Sequence, residues 1–213
     1  MTRKQLAQLL ILVLVGWGVG HILKRTAPLG RDIGGNSTAR AVLQDRSYPS
    51  REVADPTLTL VVFTDYQCPA CRLANSAMEA AIVHDGHVRV VYRDRPIFGP
   101  VSERLARVAI AADIQGVYPK LHSLLMREGR VINVAVLREL VGRSGANWVE
   151  VRSDLRAHGD AIDARLAETA RVAFALGIPG TPAYLAGSVL LSGATNEAGF
   201  RSVFAQARKA ERR

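Results

Sequence analysis

The first feature in the pattern of apolar and polar positions is a hydrophobic segment near the N-terminus. Residues 6–23 form a nearly uninterrupted apolar run preceded by Arg3 and Lys4. A helix of this length spans roughly 27 Å, just enough to cross the hydrocarbon layer. No small-x-small cleavage site follows the run. We therefore predict a signal anchor over residues 1–25 that holds the body outside the cytoplasm. One alternative is a cleaved signal peptide, which would give a secreted or periplasmic protein. Another alternative is a buried helix of a soluble domain.

The next part of the chain changes from linker-like to strand-like. Residues 26–56 are rich in Gly, Arg, Ser and Pro, which predicts a linker with one short strand near residues 39–44. The apolar, β-branched run 58–63 is typical of a strand buried on both faces. A turn follows, then a helix to about residue 83 with Leu73 on its apolar face, and a second strand over residues 88–92. This order predicts a β-α-β unit.

The remainder is mostly helical. Residues 101–176 have helical periodicity, which predicts about four helices over residues 101–114, 118–127, 133–143 and 147–176, the last broken near His158. Two short strands around a Gly187 turn and a final helix complete the chain. We therefore predict one α/β domain, formed by residues 57–100 and 177–213, with an inserted helical domain at residues 101–176.

Composition and charge narrow the possible functions. The 213 residues are 48% hydrophobic and 22% charged, which is ordinary globular composition and excludes a disordered or fibrous chain. The formal charge is +9, but the basic residues are scattered or flank the apolar run, so we predict no nucleic-acid binding. The only cysteines are Cys68 and Cys71. They cannot supply a four-thiolate zinc site, and we predict neither a metal nor a cofactor.

The two cysteines are placed for thiol chemistry. Cys68 stands where the first buried strand gives way to a helix, and Pro69 follows at an early helical position, where a missing N–H is harmless. Unsatisfied N–H groups and the positive end of the helix dipole there favour the thiolate, which is the attacking species in disulfide exchange. Cys71 lies one turn further on. The pattern favours a redox dithiol over a structural disulfide or half of a metal site shared between two chains.

Three motifs together resemble the DsbA-like branch of the thioredoxin superfamily. They are FTDYQCPAC at residues 63–71, RDRP at 93–96 and GTP at 180–182. The resemblance implies a thioredoxin-like α/β fold with an inserted helical domain, here preceded by an N-terminal membrane helix. It also implies that Cys68 is the nucleophile, that Cys71 is the resolving cysteine, and that Pro182, directly after Thr181, is a cis-proline packed against the active site.

Other residues around the motif carry weaker expectations. Pro69 and Ala70 separate the cysteines, whereas the best-known oxidant of the branch has histidine at the second position, so Ala70 predicts a milder oxidant. Asp65 is either a buried carboxylate that handles the Cys71 proton or a turn-forming residue. We interpret four histidines as surface or helix residues rather than catalytic ones: His84, His87, His122 and His158.

The function predicted from these patterns is an envelope thiol–disulfide oxidoreductase that introduces disulfides into exported proteins. Its partners would be the thiols and disulfides of those proteins and a membrane or envelope redox partner that recycles the dithiol, with residues 6–23 in the membrane. An envelope reductase or isomerase uses the same chemistry. A membrane-tethered binding protein with a static disulfide is the alternative from a different class.

Overall fold

The computed structural model describes residues 29–212 and, within the N-terminal apolar run, residues 5, 8, 12–14, 16 and 17. No helix formed by these described residues is both long and apolar enough to span a membrane. Most of the predicted anchor, residues 6–23, lies outside the described residues.

A six-stranded mixed sheet forms the centre of the fold. Its strands are β1 (Arg31–Asp32), β2 (Ser50–Arg51), β3 (Leu58–Thr64), β4 (Val88–Asp94), β5 (Ala183–Ala186) and β6 (Val189–Ser192). Their spatial order is β1-β6-β5-β3-β4-β2. Among the strands of the described residues, β3 and β4 alone pair in parallel, as a β-α-β unit requires.

Eight helices of the described chain surround this sheet. They are α1 (Ser37–Gln44), α2 (Pro69–Asp85), α3 (Pro100–Asp113), α4 (Tyr118–Arg127), α5 (Val134–Ser144), α6 (Trp148–Ala157), α7 (Gly159–Ala175) and α8 (Glu197–Glu211). Helices α3 to α7 all lie between β4 and β5 in the chain. The predicted helical block is confirmed, including its break next to His158. Its treatment as a separate inserted domain stays a prediction.

Both faces of the central strands are covered, which explains their almost continuous apolar sequence. On one face, Leu60 and Val62 of β3 and Val90 of β4 pack in a cluster with α2 and α8. On the other face, Val61 and Phe63 pack with α1 and the end of α7. The segment with the two cysteines therefore follows a strand that is packed on both of its faces.

The predicted linker is part of the fold from residue 31 onward. The prediction of a strand near residues 39–44 was wrong, because this segment is helix α1. Asn36 caps the helix by accepting a hydrogen bond from the Ala39 N–H at 3.1 Å, and Ala39 and Val42 are buried one turn apart. Strand β1 pairs with β6, and β2 pairs with β4.

Two buried arginines of β4 form hydrogen-bonded ion pairs with the segment of residues 45–52. The Arg93 guanidinium donates to Asp45 at 2.7 Å and lies 3.6 Å from the centre of the Tyr48 ring. Arg89 donates to Glu52 at 2.7 Å. Both arginines are at most 2% exposed. Their sequence context, inside an apolar strand, gave no indication that their partners would come from residues 45–52.

Helix α2 buries the predicted face only in part: of Leu73, Ala77, Ala80 and Ala81, which were predicted to share it, Ala81 is buried and Ala77 is partly buried. Leu73 is 76% exposed, whereas Ala74, Met78, Ala81 and Ile82 are buried. The two faces are adjacent around the helix, and the small residues of α2 make both weakly apolar. Cys71 lies on the buried face, in the first turn of the helix.

Candidate active site

Cys68 is the N-cap residue of α2. Its backbone is extended, and its sulfur accepts a hydrogen bond from the Cys71 N–H at a Sγ–N distance of 3.3 Å. Pro69 occupies the first helical turn, and the Cys68 carbonyl accepts the Arg72 N–H at 3.1 Å. The sulfur thus stands at the positive end of a helix of 17 residues. This arrangement stabilises negative charge on Cys68.

The loop before β5 approaches the same sulfur from the other side. The Cys68 thiol donates a hydrogen bond to the Thr181 carbonyl oxygen at 3.3 Å. The peptide bond between Thr181 and Pro182 is cis. Two segments more than a hundred residues apart in the chain therefore meet at Cys68, and Ala70 is partly buried against the core beside them.

Cys71 is in a different environment from Cys68. Both cysteines are free and 2% exposed. Burial, together with the neighbouring Cys68 side chain, raises the pKa of the Cys71 thiol to about 12, although Thr181 and the Asp65 backbone partly offset this rise. At neutral pH Cys71 is therefore a protonated thiol next to the Cys68 sulfur, which accepts the Cys71 N–H hydrogen bond. The two sulfurs are chemically unequal.

Asp65 holds the turn between β3 and α2. One carboxyl oxygen accepts the Gln67 N–H at 2.7 Å and the Ser102 hydroxyl at 2.6 Å. The other accepts the N–H groups of Ile97 and Phe98 at 2.7 and 3.1 Å. Of the two interpretations of Asp65, these contacts favour the turn-forming one, because both oxygens are already occupied by structural donors.

Arg95 joins the loop after β4 to the loop that contains Thr181. Its backbone N–H donates to the Thr64 carbonyl at 2.7 Å. Its guanidinium donates to the carbonyls of Ile178 and Gly180 at 3.2 and 3.1 Å. Together with Asp65, it fixes the three segments around Cys68 relative to one another.

A buried polar cluster lies behind the cysteines, and sequence reasoning missed it. Asp94 accepts a hydrogen bond from the Tyr118 hydroxyl at 2.9 Å. The Tyr66 hydroxyl is 3.1 Å from that of Tyr118 and 3.2 Å from Nδ1 of His122. All four side chains are at most 4% exposed. The interpretation of His122 as a surface or simple helix residue was therefore incomplete, whereas His84, His87 and His158 are exposed.

A family model described as a DSBA-like thioredoxin domain matches residues 59–205. The chain belongs to this family. The predicted DsbA-like resemblance and the thioredoxin-like α/β fold are thereby confirmed. The enzyme class that the sequence predicted, a DsbA-like thiol–disulfide oxidoreductase, is the class of its family and structural homologues.

Solved structures resemble this DsbA-like chain over most of its length. A thioredoxin-like oxidoreductase from Silicibacter pomeroyi DSS-3 is 29% identical, with a TM-score of 0.74, and the match covers 82% of this chain and 98% of that one. A periplasmic thioredoxin-like protein from Salmonella enterica serovar Typhimurium is 25% identical, with a TM-score of 0.70, and the match covers 81% and 97% of the two chains.

One curated relative is a much longer protein. A protein named Na(+)/H(+) antiporter NhaA 3, from Salinispora tropica, is 27% identical over 208 residues. The match covers 92% of this chain but only 31% of that relative. The DsbA-like chain therefore corresponds to a minor part of the relative's length.

Proposed function

We propose that this DsbA-like protein is an envelope oxidant that transfers a disulfide from Cys68 and Cys71 to exported proteins. The observation that carries the proposal is the inequality of the two sulfurs. Cys68 is the helix N-cap and accepts the Cys71 N–H, whereas the pKa of the Cys71 thiol is raised. This inequality supports Cys68 as the nucleophile and leaving thiolate, and Cys71 as the resolving cysteine.

The reaction consists of two balanced exchanges. A substrate thiolate attacks the Cys68 sulfur of the oxidised protein, the bond between Cys68 and Cys71 breaks, and Cys71 takes the electron pair and a proton. A second substrate thiolate then attacks the substrate sulfur of the mixed disulfide, and Cys68 leaves as a thiolate. The substrate has lost two electrons, and the dithiol has gained them. A membrane or envelope redox partner must take up these electrons before the next cycle.

The surroundings of Cys68 support a polypeptide substrate. The Thr181 backbone lies beside the sulfur, and the apolar side chains of Ile97 and Phe98 are 48% and 52% exposed on the adjacent loop. That loop is fixed by its hydrogen bonds to Asp65. Unfolded exported proteins display apolar side chains, so a fixed apolar surface beside the reactive sulfur suits them as substrates.

We expect the reduced protein to unfold at a higher temperature than the oxidised one. The Cys71 N–H and the positive end of the α2 dipole stabilise a Cys68 thiolate in the folded protein, and a disulfide carries no charge that could interact with them. The Thr181 carbonyl has the opposite effect on the Cys68 thiolate, because it accepts a hydrogen bond from the thiol and the thiolate has no proton to donate. The cross-link itself stabilises little, since it closes so short a loop. Each 1.4 kcal/mol in favour of the reduced form raises the potential by about 30 mV and corresponds to about 3 to 6 °C.

Thermal unfolding of both redox forms at neutral pH tests this prediction. An oxidised form that melts several degrees higher would contradict it and favour the reductase or isomerase alternative. The binding-protein alternative predicts instead that Cys68 reacts with an alkylating agent like a cysteine in the unfolded chain. Ala70 adds no charge next to Cys68, so we propose a milder oxidant than relatives with histidine there.

We also propose that the body lies outside the cytoplasm and is attached to the membrane by residues 6–23. The apolar run supports the attachment, and the periplasmic relative from Salmonella enterica supports the compartment. The relative from Salinispora tropica is named as an antiporter, which is a membrane protein, so a similar domain exists in a membrane-bound chain. Disulfides persist in oxidising compartments, which agrees with this location.

Protease added to intact spheroplasts should digest the body while an N-terminal fragment remains with the membranes. A cytoplasmic protein in the same sample, which should stay intact, is the control. Protection of the body would contradict export. Recovery of a soluble chain that begins after residue 25 would contradict the anchor alone and would favour a cleaved signal peptide.

A further inference from the structure

Helix α8 has an apolar side on the sheet and a basic side in the solvent. Its buried side chains are Phe200, Val203, Phe204 and Ala207. Arg201 and Lys209 of the helix and Arg212, its C-cap, are exposed. They follow one another after eight and three residues, which places them on one side of a helix with 3.6 residues per turn. We call these three residues the basic stripe.

The charges of the basic stripe are not neutralised within the described part of the chain. Arg208, on the same helix, donates to both carboxyl oxygens of Asp85 at 2.7 and 2.6 Å. By contrast, the ion pairs among the described residues include none from Arg201, Lys209 or Arg212. Arg208 therefore stabilises the fold, whereas the basic stripe is available to bind another molecule.

The acidic residues of α8 leave most of this charge in place. The Glu211 carboxyl lies beside Gly187, at the turn between β5 and β6. Glu197 precedes Arg201 by four residues and offsets positive charge at that end of the helix only. Positive charge is therefore concentrated toward the C-terminal end of α8.

The chain joins the folded body next to the basic stripe. Gln206 of α8 donates a hydrogen bond from Nε2 to the Gly30 carbonyl at 3.0 Å. Lys209 follows Gln206 by three residues, which is about one helical turn. Leu29, which precedes Gly30, is 49% exposed. The segment that leads from residues 6–23 into the fold therefore arrives about one helical turn from the basic stripe.

The connection between the apolar run and this point is short. Residues 24–28 link the run to Leu29, and a fully extended segment of this length reaches about 20 Å. The 15 residues of α8 have a similar length, roughly 22 Å. Two of the linking residues, Lys24 and Arg25, are themselves basic. A membrane that holds residues 6–23 must therefore lie within about one helix length of the basic stripe.

We propose that the basic stripe of α8 binds anionic lipid headgroups of the membrane in which residues 6–23 are anchored. Opposite charges attract over about 10 Å at 0.1 M salt, and the short connection keeps the stripe near the lipid. Each basic residue at an anionic lipid surface strengthens binding about fivefold. The inference rests on the proposed attachment by residues 6–23 and adds a second contact to it.

A contact through α8 fixes the orientation of the active site relative to the membrane. Helix α2, which begins after Cys68, packs beside α8 on the same face of the sheet. A body attached only by residues 6–23 can turn about its connection, so the distance between Cys68 and the lipid varies. A body that rests on the basic stripe holds Cys68 at one height. A redox partner embedded in the same membrane then meets the dithiol from one direction.

The test measures the distance between the basic stripe and the lipid in the full chain. Cys68→Ser and Cys71→Ser remove the native thiols, so that Ala205→Cys carries the single fluorophore. Ala205 is exposed between Arg201 and Lys209. The chain is placed in nanodiscs of phosphatidylglycerol and phosphatidylcholine that also contain a lipid with a quencher on its headgroup.

The fluorophore at residue 205 should be strongly quenched in these nanodiscs. Quenching should be weak at about 1 M salt, and also when phosphatidylglycerol is left out, because both conditions remove the electrostatic attraction. The matched control is Val131→Cys in the same background. Val131 is 87% exposed on the segment between α4 and α5, and a fluorophore there should be weakly quenched under all of these conditions.

Charge substitutions identify the residues responsible. Arg201→Glu, Lys209→Glu and Arg212→Glu together should lower the quenching at residue 205 to that of the control at residue 131. A second triple variant makes the same change of net charge in α3 and α6 and should keep the full quenching. It replaces three exposed arginines with glutamate: Arg104, Arg152 and Arg156. If the triple variant of the stripe does not fold, glutamine at the same three positions replaces glutamate.

Four results would overturn the inference. They are weak quenching at residue 205, equal quenching at residues 205 and 131, equal quenching with and without phosphatidylglycerol, and full quenching in the triple variant of the stripe. An acidic protein as the partner of the stripe predicts the first of these results, because the nanodiscs supply only lipid.

Failure of the proposed anchor gives a different result, because the chain would then leave the nanodiscs at high salt. Binding by the stripe is in that case measured alone, by sedimentation of the full chain with phosphatidylglycerol vesicles at low salt. Glutamine at positions 201, 209 and 212 should weaken this binding about 100-fold. No binding, or binding that glutamine leaves unchanged, would contradict the inference whether or not residues 6–23 form an anchor.

Discussion

Replacing Cys68 with serine should abolish thiol–disulfide exchange, whereas replacing Cys71 with serine should trap the partner on Cys68. A serine hydroxyl does not ionise at the helix end and cannot attack a disulfide. In Cys71→Ser, Cys68 keeps its N-cap position and the donor N–H of residue 71, so the first exchange proceeds and nothing resolves it. Mass mapping of the mixed disulfide on a reduced exported substrate measures both expectations.

The matched control is the pair of variants itself, since each removes one thiol and keeps the other. Equal yields of mixed disulfide on Cys71 in Cys68→Ser and on Cys68 in Cys71→Ser would contradict the assigned roles. The raised pKa of the Cys71 thiol makes this outcome unexpected, because little of it is thiolate at neutral pH. Exchange at the full rate in Cys68→Ser would remove the dithiol mechanism altogether.

Asp65→Ala should destabilise the fold by about 3 to 4 kcal/mol and slow exchange at Cys68. The substitution leaves the N–H groups of Gln67, Ile97 and Phe98 and the Ser102 hydroxyl without their acceptor. Unpaired buried donors cost about 1 to 3 kcal/mol each, reduced where water enters. Thermal unfolding should show a fall of about 10 °C for a domain of this size.

Asp163→Ala is the control for the loss of a carboxylate. Asp163 pairs with Arg107 but is 53% exposed, and such pairs contribute little, so its unfolding temperature should hardly change. Asp65→Asn keeps one acceptor oxygen and should be intermediate. An Asp65→Ala protein as stable as the unsubstituted one would show that the four donors find other partners.

The sequence predicted the parts of the fold that depend on local signals. Strand β3 is buried along its length, which its continuous apolar sequence indicates. The cysteines lie at a boundary between strand and helix, and Pro69 in the first helical turn indicates this boundary. The helical block has its own periodicity, so its helices were predictable without knowledge of their packing. The family motifs then connected Thr181 and Pro182 to the cysteines across more than a hundred residues.

The parts that were missed depend on contacts between distant segments. Helix α1 lies in a stretch whose composition resembles a linker, and its cap at Asn36 is a single-residue signal. The cluster of Tyr66, Asp94, Tyr118 and His122 joins a turn, a strand end and a helix. For a tyrosine or histidine in an apolar part of the sequence, the neighbouring residues do not indicate whether its polar atom forms a hydrogen bond with a distant side chain.

Strands β1 and β2 have a consequence for the boundaries of the folded unit. They lie at opposite ends of the sheet, yet both come from the segment between residues 29 and 51. A chain shortened to begin at residue 57, where the sequence pattern sets the domain boundary, would uncover β6 on one side and β4 on the other. Unpaired N–H and carbonyl groups on such edges promote pairing between molecules. The segment therefore shields this sheet against aggregation at both of its edges.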